Sequence, residues 1–108
     1  MKDKILIFSA TYNEAENVQN FLKYIEDLNL ELDVLLIDDN SPDKTWEIVQ
    51  EYSKDKKNIN LIIRNNKEGL DTAHKIAYKY SIANNYQFLI TLDADLSHDP
   101  KKIPEFIN

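Results

Sequence analysis

The chain has 108 residues, of which 43% are hydrophobic and 30% charged, a composition typical of one soluble globular domain over residues 1–108. Its net charge of −6 argues against nucleic-acid binding, because phosphate backbones are held by clustered Lys and Arg. The absence of cysteine excludes disulfides and thiolate metal sites. No apolar run approaches the roughly 20 residues that cross a bilayer. We therefore expect a cytoplasmic protein, with the cytoplasmic face of a membrane as the alternative.

Short apolar runs alternate with longer amphipathic stretches along the chain. The runs are almost continuously apolar, which is typical of strands buried on both faces of a parallel sheet. Apolar residues between them recur with helical spacing. The pattern predicts an α/β fold with a parallel sheet in the order β-α-β-α-β-α-β-α. The predicted strands cover residues 5–8, 34–37, 61–63 and 88–92, and the helical stripes are Val18, Phe21, Leu22, Ile25 and Leu28, then Trp46, Val49 and Tyr52, then Leu70, Ala73, Ala77 and Tyr80.

Capping residues predict where the helices begin. A capping box formed by Asn13 with Glu16, or by Thr11 with Glu14, is expected to start the first helix. Ser41-Pro42 and Asp99-Pro100 each place a capping side chain before a proline and are expected to start the second and fourth helices. Gly69 is the only glycine, so the chain contains neither a Walker loop nor a GxGxxG dinucleotide fingerprint.

Polar residues follow each predicted strand. Because ligands of open parallel sheets bind beyond the carboxyl ends of the strands, these loops form the candidate site. Six aspartates fall in two of the four loops, where their like charges require a cation or hydrogen-bond donors nearby. The four loops are residues 9–14, 38–43, 64–69 and 93–99.

Asp93 and Asp95 leave the fourth strand at this rim. In an extended chain they point to the same side, so both can reach one hard cation, Mg²⁺ or Mn²⁺. The spacing alone is weak evidence for a metal site, since eleven aspartates in this chain produce about one such pair by chance. The alternative is that Asp95 or Asp99 caps the last helix; we favour capping for Asp99 and metal binding for the pair. His98 is interpreted as a surface residue.

Three segments together resemble family-2 glycosyltransferases. Among these they are most similar to the dolichyl-phosphate (polyprenyl-phosphate) mannosyltransferases, and the similarity extends from the first strand to residue 106. The proline usual before the first motif is replaced by Ala10, and a glycine usual at the third helix is replaced by Asp71. The segments are Thr11-Tyr12-Asn13-Glu14-Ala15-Glu16-Asn17, Asp38-Asp39-Asn40-Ser41-Pro42-Asp43-Lys44-Thr45 and Asp93-Ala94-Asp95-Leu96-Ser97-His98-Asp99-Pro100.

The resemblance implies the nucleotide-binding part of a GT-A fold, a GDP-mannose donor and a polyprenyl-phosphate acceptor, with inversion at the anomeric carbon. It also implies that Mg²⁺ or Mn²⁺ binds Asp93 and Asp95, with Asp95 as the catalytic metal ligand. Family members continue past this point into the part that holds the acceptor, so the chain is expected to be a fragment. The residues implied to line the nucleotide-sugar site are Ala10, Tyr12, Glu14, Ile37, Asp39, Asp93, Ala94 and Asp95.

Three alternatives remain at the level of sequence. The chain could be a sugar-nucleotide-binding fragment without catalysis, or a transferase that uses another donor such as UDP-glucose. It could also be a receiver domain, because Asp38, Asp39 and Asp93 follow strands as a receiver's acidic residues do. A receiver requires further strands and a lysine after its phospho-acceptor, and few residues follow Asp93.

Overall fold

The computed structural model describes residues 4–65 and 69–94. In this part, strands and helices alternate in the predicted order. The expected fourth helix, at Asp99-Pro100, lies outside the described residues. The elements are β1 (Ile5–Thr11), α1 (Val18–Asp27), β2 (Leu32–Asp38), α2 (Thr45–Ser53), β3 (Ile59–Ile63), α3 (Leu70–Ala83) and β4 (Phe88–Thr91).

The four strands form one parallel sheet in the order β3-β2-β1-β4. The chain moves outward from β1 through β2 to β3 and then crosses back to place β4 on the other side of β1. Because crossovers between parallel strands are right-handed, this reversal puts α3 on the opposite face of the sheet from α1 and α2. The sequence order of the elements therefore produces three layers, with the reversal at β1.

Each face of the sheet has its own apolar core. On one face, Ile5 and Ile7 of β1 pack with Phe21 and Leu22 of α1 and Val49 of α2. On the other face, alternate residues of the same strands meet α3: Leu6, Phe8, Leu35 and Ile37 pack with Ala73 and Ala77. The two small alanines allow the α3 backbone to lie close to the strands. A residue's position along a strand thus determines which helix layer it faces.

The expectation that all four strands are buried on both faces is correct for β1 and β2 and wrong for β3 and β4. Ile63 and Phe88 are 41% and 40% exposed, because strands at the two edges of the described sheet have a neighbour on one side only. Leu70 was expected on the buried stripe of α3, yet it is 57% exposed at the first position of that helix. Ala73 and Ala77 are buried, as predicted.

The predicted helix starts are also wrong for α1 and α2. Helix α1 begins at Val18 after a turn, with Asn17 in the cap position and no side-chain capping bond, so neither predicted box forms. Helix α2 begins at Thr45, three residues after Pro42, with Lys44 in the left-handed region at φ 61°. Polar residues expected to cap helices instead bond between the loops.

Within residues 4–65 and 69–94, the helices are too short or too polar to span a bilayer.

Candidate functional site

The carboxyl ends of β1, β2 and β4 meet at one rim of the sheet. The reversal of strand order lies between β1 and β4, which is where open parallel sheets form their ligand crevice. The β1–β4 ladder continues past β4, because the Leu92 amide donates to the carbonyl of Phe8 at 3.0 Å. This pairing places Asp93 beside the end of β1. The structure therefore brings the loop that follows β1 and the loop that follows β4 to the same crevice.

The adjacent aspartates Asp38 and Asp39 point to opposite sides of the rim and have different partners. Asp38 is fully buried. Its Oδ1 accepts hydrogen bonds at 2.7 Å from the hydroxyls of Thr11 and Ser41, and its Oδ2 accepts one at 2.9 Å from the Ser41 amide. These donors offset the cost of burying a carboxylate. Asp38 thus ties the end of β1 to the loop after β2.

Asp39 forms a buried ion pair with Arg64, the residue that follows β3. The guanidinium donates through Nε to Oδ1 and through Nη2 to Oδ2, the latter at 2.8 Å, in the two-point arrangement typical of arginine and carboxylate. The two residues are 8% and 7% exposed. Arg64 also donates from Nη1 to the Thr72 hydroxyl at 2.6 Å and from Nη2 to the Gly69 carbonyl at 3.0 Å. Arg64 therefore joins the loop after β2 to the first turn of α3.

Three side chains between the end of β2 and the first residue of α2 accept hydrogen bonds from three successive backbone amides of the loop after β1. Ser41 Oγ accepts from the amide of residue 13 at 3.0 Å, and Thr45 Oγ1 from that of residue 14 at 2.9 Å. Asp43 Oδ2 accepts from the amide of residue 15 at 3.0 Å. We call Ser41, Asp43 and Thr45 the amide clamp. These bonds provide acceptors for three amides that precede α1 and have no acceptor within that helix.

Asp43 also caps α2. Its Oδ1 accepts hydrogen bonds from the Thr45 hydroxyl at 2.6 Å and the Thr45 amide at 3.0 Å. Burial acts to raise the pKa of Asp43, but the bonds from the Thr45 side chain and from the Ala15 and Thr45 amides outweigh it and lower this pKa below 3.8. The contribution of the ionised carboxylate to stability is accordingly present above about pH 4 and is lost as the pH falls through the lowered value.

The residues implied to line the nucleotide-sugar site on the first two strands lie in different surroundings. Ala10 is half-buried in β1 beside Ile37, its register partner in β2. Tyr12 is 36% exposed, and Glu14 is half-buried with its carboxylate accepting a bond from the Asn17 amide group at 3.2 Å. Ile37 has no accessible surface and packs in the core beneath α3. Tyr12 is thus partly exposed at the rim, whereas Ile37 lies below it.

The metal-binding prediction falls partly outside the described residues. Asp93 is exposed directly after β4, whereas Ala94 is 3% exposed and packs in the core beneath α1. Asp95, Ser97, His98 and Asp99 lie outside the described residues. Among residues 4–65 and 69–94, no three carboxylates or imidazoles form a metal-binding group. A single exposed carboxylate at the rim still fits Mg²⁺ or Mn²⁺, which often take one or two carboxylates, with water and phosphate oxygens completing the shell.

Several residues that organise the site have no role assigned from sequence. From the sequence, Arg64 is recognisable only as a polar residue after a predicted strand. Thr72 is recognisable only as a polar position on the third predicted helix. The clamp side chains lie within the segment 38–45 that resembles the glycosyltransferases, but that segment does not reveal that their partners are main-chain amides. A serine or threonine in a loop bonds to whichever donor the fold brings near, so its partner depends on tertiary structure.

The fold is similar to those of two solved proteins, one of them a mannosyltransferase. A mannosyltransferase from Pyrobaculum calidifontis, solved in complex with GDP-Man and Mn²⁺, superposes with a TM-score of 0.80 at 20% identity, over 94% of this chain and 30% of that one. The crystal structure of S. aureus TarS gives 0.79 at 22% identity, over 96% of this chain and 31% of that one. At these identities the likeness establishes the fold, in agreement with the parallel α/β prediction.

The profile of glycosyl transferase family 2 matches residues 6–108, and the chain belongs to that family. It is 31% identical over 104 residues to an undecaprenyl-phosphate mannosyltransferase of Micrococcus luteus, covering 96% of this chain and 43% of the relative. It is 34% identical over 106 residues to a dolichol-phosphate mannosyltransferase of Pyrococcus furiosus, covering 96% of this chain and 29% of the relative. The chain thus spans less than half the length of these curated relatives.

Proposed function

We propose that the chain is the nucleotide-sugar-binding part of a glycosyltransferase that transfers mannose from GDP-mannose to a polyprenyl phosphate, with inversion at the anomeric carbon. The observation that carries this proposal is the convergence of the Tyr12, Asp39 and Asp93 loops at the reversal of strand order. The names of the two curated relatives, and the GDP-Man in the Pyrobaculum complex, support the choice of donor and acceptor.

In this proposal the rim residues divide into those that contact the donor and those that hold the contacting groups in place. Tyr12 offers a ring face to the base or sugar. Ala10 adds a small side chain that leaves space at the end of β1, and Glu14 and Asp39 supply carboxylates toward the ribose. Asp39 is held by Arg64, so little conformational freedom is lost when a ligand binds.

Asp93, together with Asp95, is proposed to hold Mg²⁺ or Mn²⁺. Held by these carboxylates, such a cation would supply positive charge to offset the negative charge on the leaving nucleoside diphosphate. The acceptor needs little help from a general base, because a phosphate monoester with a second pKa of about 6 is largely ionised at neutral pH. An acceptor oxygen attacks the anomeric carbon as the bond from that carbon to the diphosphate oxygen breaks. A lipid acceptor would place the reaction at a membrane surface.

Isothermal titration of the 108-residue chain with GDP-mannose tests this proposal. We expect binding in MnCl₂ and a loss of affinity in EDTA. Asp93→Ala and Asp95→Ala should each reduce the affinity measured with Mn²⁺ by at least about tenfold, because even groups that only support metal ligands have effects of this size. Asp55→Ala, on the exposed turn after α2, is the matched control and should bind as the unmodified chain does. Equal affinity in EDTA and MnCl₂ would contradict the metal assignment.

The same titration separates the proposed donor from the alternatives. Tighter binding of UDP-glucose than of GDP-mannose would assign another donor to the site. A turnover assay with a polyprenyl phosphate distinguishes a transferase from a fragment that binds the donor without catalysis. Labelling of Asp93 by acetyl phosphate would support a receiver domain, which the family membership argues against.

A further inference from the structure

The amide clamp restrains the loop after β1, where the Glu14 carbonyl also accepts bonds from the Asn17 and Val18 amides at 2.9 and 2.8 Å. Residues 12–14 have no helical or strand conformation, and Asn13 lies in the left-handed region at φ 57°. An asparagine tolerates this conformation better than most residues but does not favour it. The clamp bonds, together with a 3.4 Å bond from the Asp43 amide to Asn13 Oδ1, therefore help to stabilise this loop conformation.

The clamp lies on the opposite side of the rim from the proposed donor contacts. Thr45 and Ser41 are fully or almost fully buried beneath the loop, on the side that faces α1 and α2. Their oxygens are occupied: Ser41 Oγ donates to Asp38 and accepts from residue 13, and Thr45 Oγ1 donates to Asp43 and accepts from residue 14. Each hydroxyl has used its one proton and is buried, so neither is exposed for a direct contact with the donor. They can influence it only through the loop.

We propose that Ser41, Asp43 and Thr45 are positioning residues that set donor affinity by fixing the backbone of residues 13–15, and with it the direction of Tyr12 and Glu14. This inference rests on the proposed function, since Tyr12 and Glu14 are taken as donor contacts. Because each clamp residue bonds to a different amide, each controls one identifiable point of the loop. A loop fixed before binding loses less entropy when the donor binds.

Amide hydrogen exchange followed by NMR tests the clamp without any ligand. Thr45→Val, which keeps the shape but removes the hydroxyl, is expected to speed exchange at the Glu14 amide by at least about fivefold. Ser41→Ala should have its largest effect at the Asn13 amide. Ser53→Ala is the matched control, because this hydroxyl donates within α2, to the Gln50 carbonyl at 3.3 Å, and lies away from the clamp. It should leave residues 13–15 unchanged.

Titration with GDP-mannose and Mn²⁺ tests the consequence for binding. Thr45→Val should weaken affinity about five- to tenfold, because it removes the hydroxyl that accepts from the Glu14 amide and donates to Asp43 Oδ1. Thr45→Ser retains the hydroxyl and should stay within about twofold of the unmodified chain. A purely stabilising role would lower the unfolding midpoint of Thr45→Val without altering affinity at a temperature where the chain is folded, and that result would overturn the proposal.

Amide exchange and titration together distinguish a failure of the proposed function from a failure of the clamp proposal. If the unmodified chain binds no GDP-mannose, the proposed function fails, and amide exchange alone decides whether these residues hold the loop. If the chain binds and the Glu14 amide of Thr45→Val exchanges no faster than in the unmodified chain, the clamp itself is refuted.

Discussion

Replacing Arg64 with methionine is expected to lower the free energy of unfolding by about 3–5 kcal/mol. The methionine fills much of the space of the arginine stem but leaves the Asp39 carboxylate buried without its cation. It also removes the donors to the Thr72 hydroxyl and the Gly69 carbonyl, which anchor the start of α3. Such a loss is a large fraction of the roughly 5–15 kcal/mol that stabilises a typical domain. Urea unfolding followed by circular dichroism measures it.

The exposed pair of Lys56 and Glu26 provides the matched control. These side chains are 34% and 51% exposed with a 3.5 Å separation, so Lys56→Met should cost no more than about 1 kcal/mol. The double variant Asp39→Leu with Arg64→Met should recover part of the loss, because it removes the unpaired charge. A double variant no more stable than Arg64→Met would show that the cost does not come from the buried carboxylate.

Replacing Asp38 with alanine is expected to destabilise the chain by about 3 kcal/mol or more. The substitution removes the acceptor of three hydrogen bonds and leaves buried donors on Thr11 and Ser41 unsatisfied, each costing about 1–3 kcal/mol when water cannot replace the partner. Thermal and urea unfolding should both report the loss.

Comparison of three variants identifies the source of the Asp38 effect. Asp38→Asn keeps one acceptor oxygen and should be less destabilising than Asp38→Ala. Asp55→Ala removes an exposed carboxylate and should change the stability by less than about 0.5 kcal/mol. Equal effects of Asp38→Ala and Asp55→Ala would mean that the bonds around Asp38 contribute nothing to stability.

Apolar periodicity predicted the order and type of the described elements because burial dominates their formation. It failed where polar residues extend an element. Strand β1 was predicted to end at Phe8 but continues to Thr11, since Ser9 and Thr11 are buried and Thr11 bonds to Asp38. The capping predictions for α1 failed because they use local spacing, whereas the amides of residues 13–15 bond to side chains about 30 residues away.

The sequence predicts which loops form the candidate site, but it does not predict what most of the residues in those loops contact. The motif string placed Asp38 and Asp39 at the rim, and the structure does so too. Asp38 bonds to Ser41, whereas Asp39 pairs with Arg64. These different partners depend on which side of the sheet each aspartate faces at the end of β2, and the sequence does not show this. The metal prediction for Asp93 and Asp95 stays a prediction.

The reversal of strand order also determines when the rim can be completed as the chain is synthesised. Strands β1, β2 and β3 with α1 and α2 can assemble from the first 63 residues, because all their pairings are among themselves. The other side of β1 must wait for β4, joined to it across 83 residues of sequence, as the bond from the Lys4 amide to Gln87 shows. Until then β1 presents an open strand edge, a site for mispairing or for a chaperone. The crevice between β1 and β4 is consequently the last part of the described sheet to form on the ribosome.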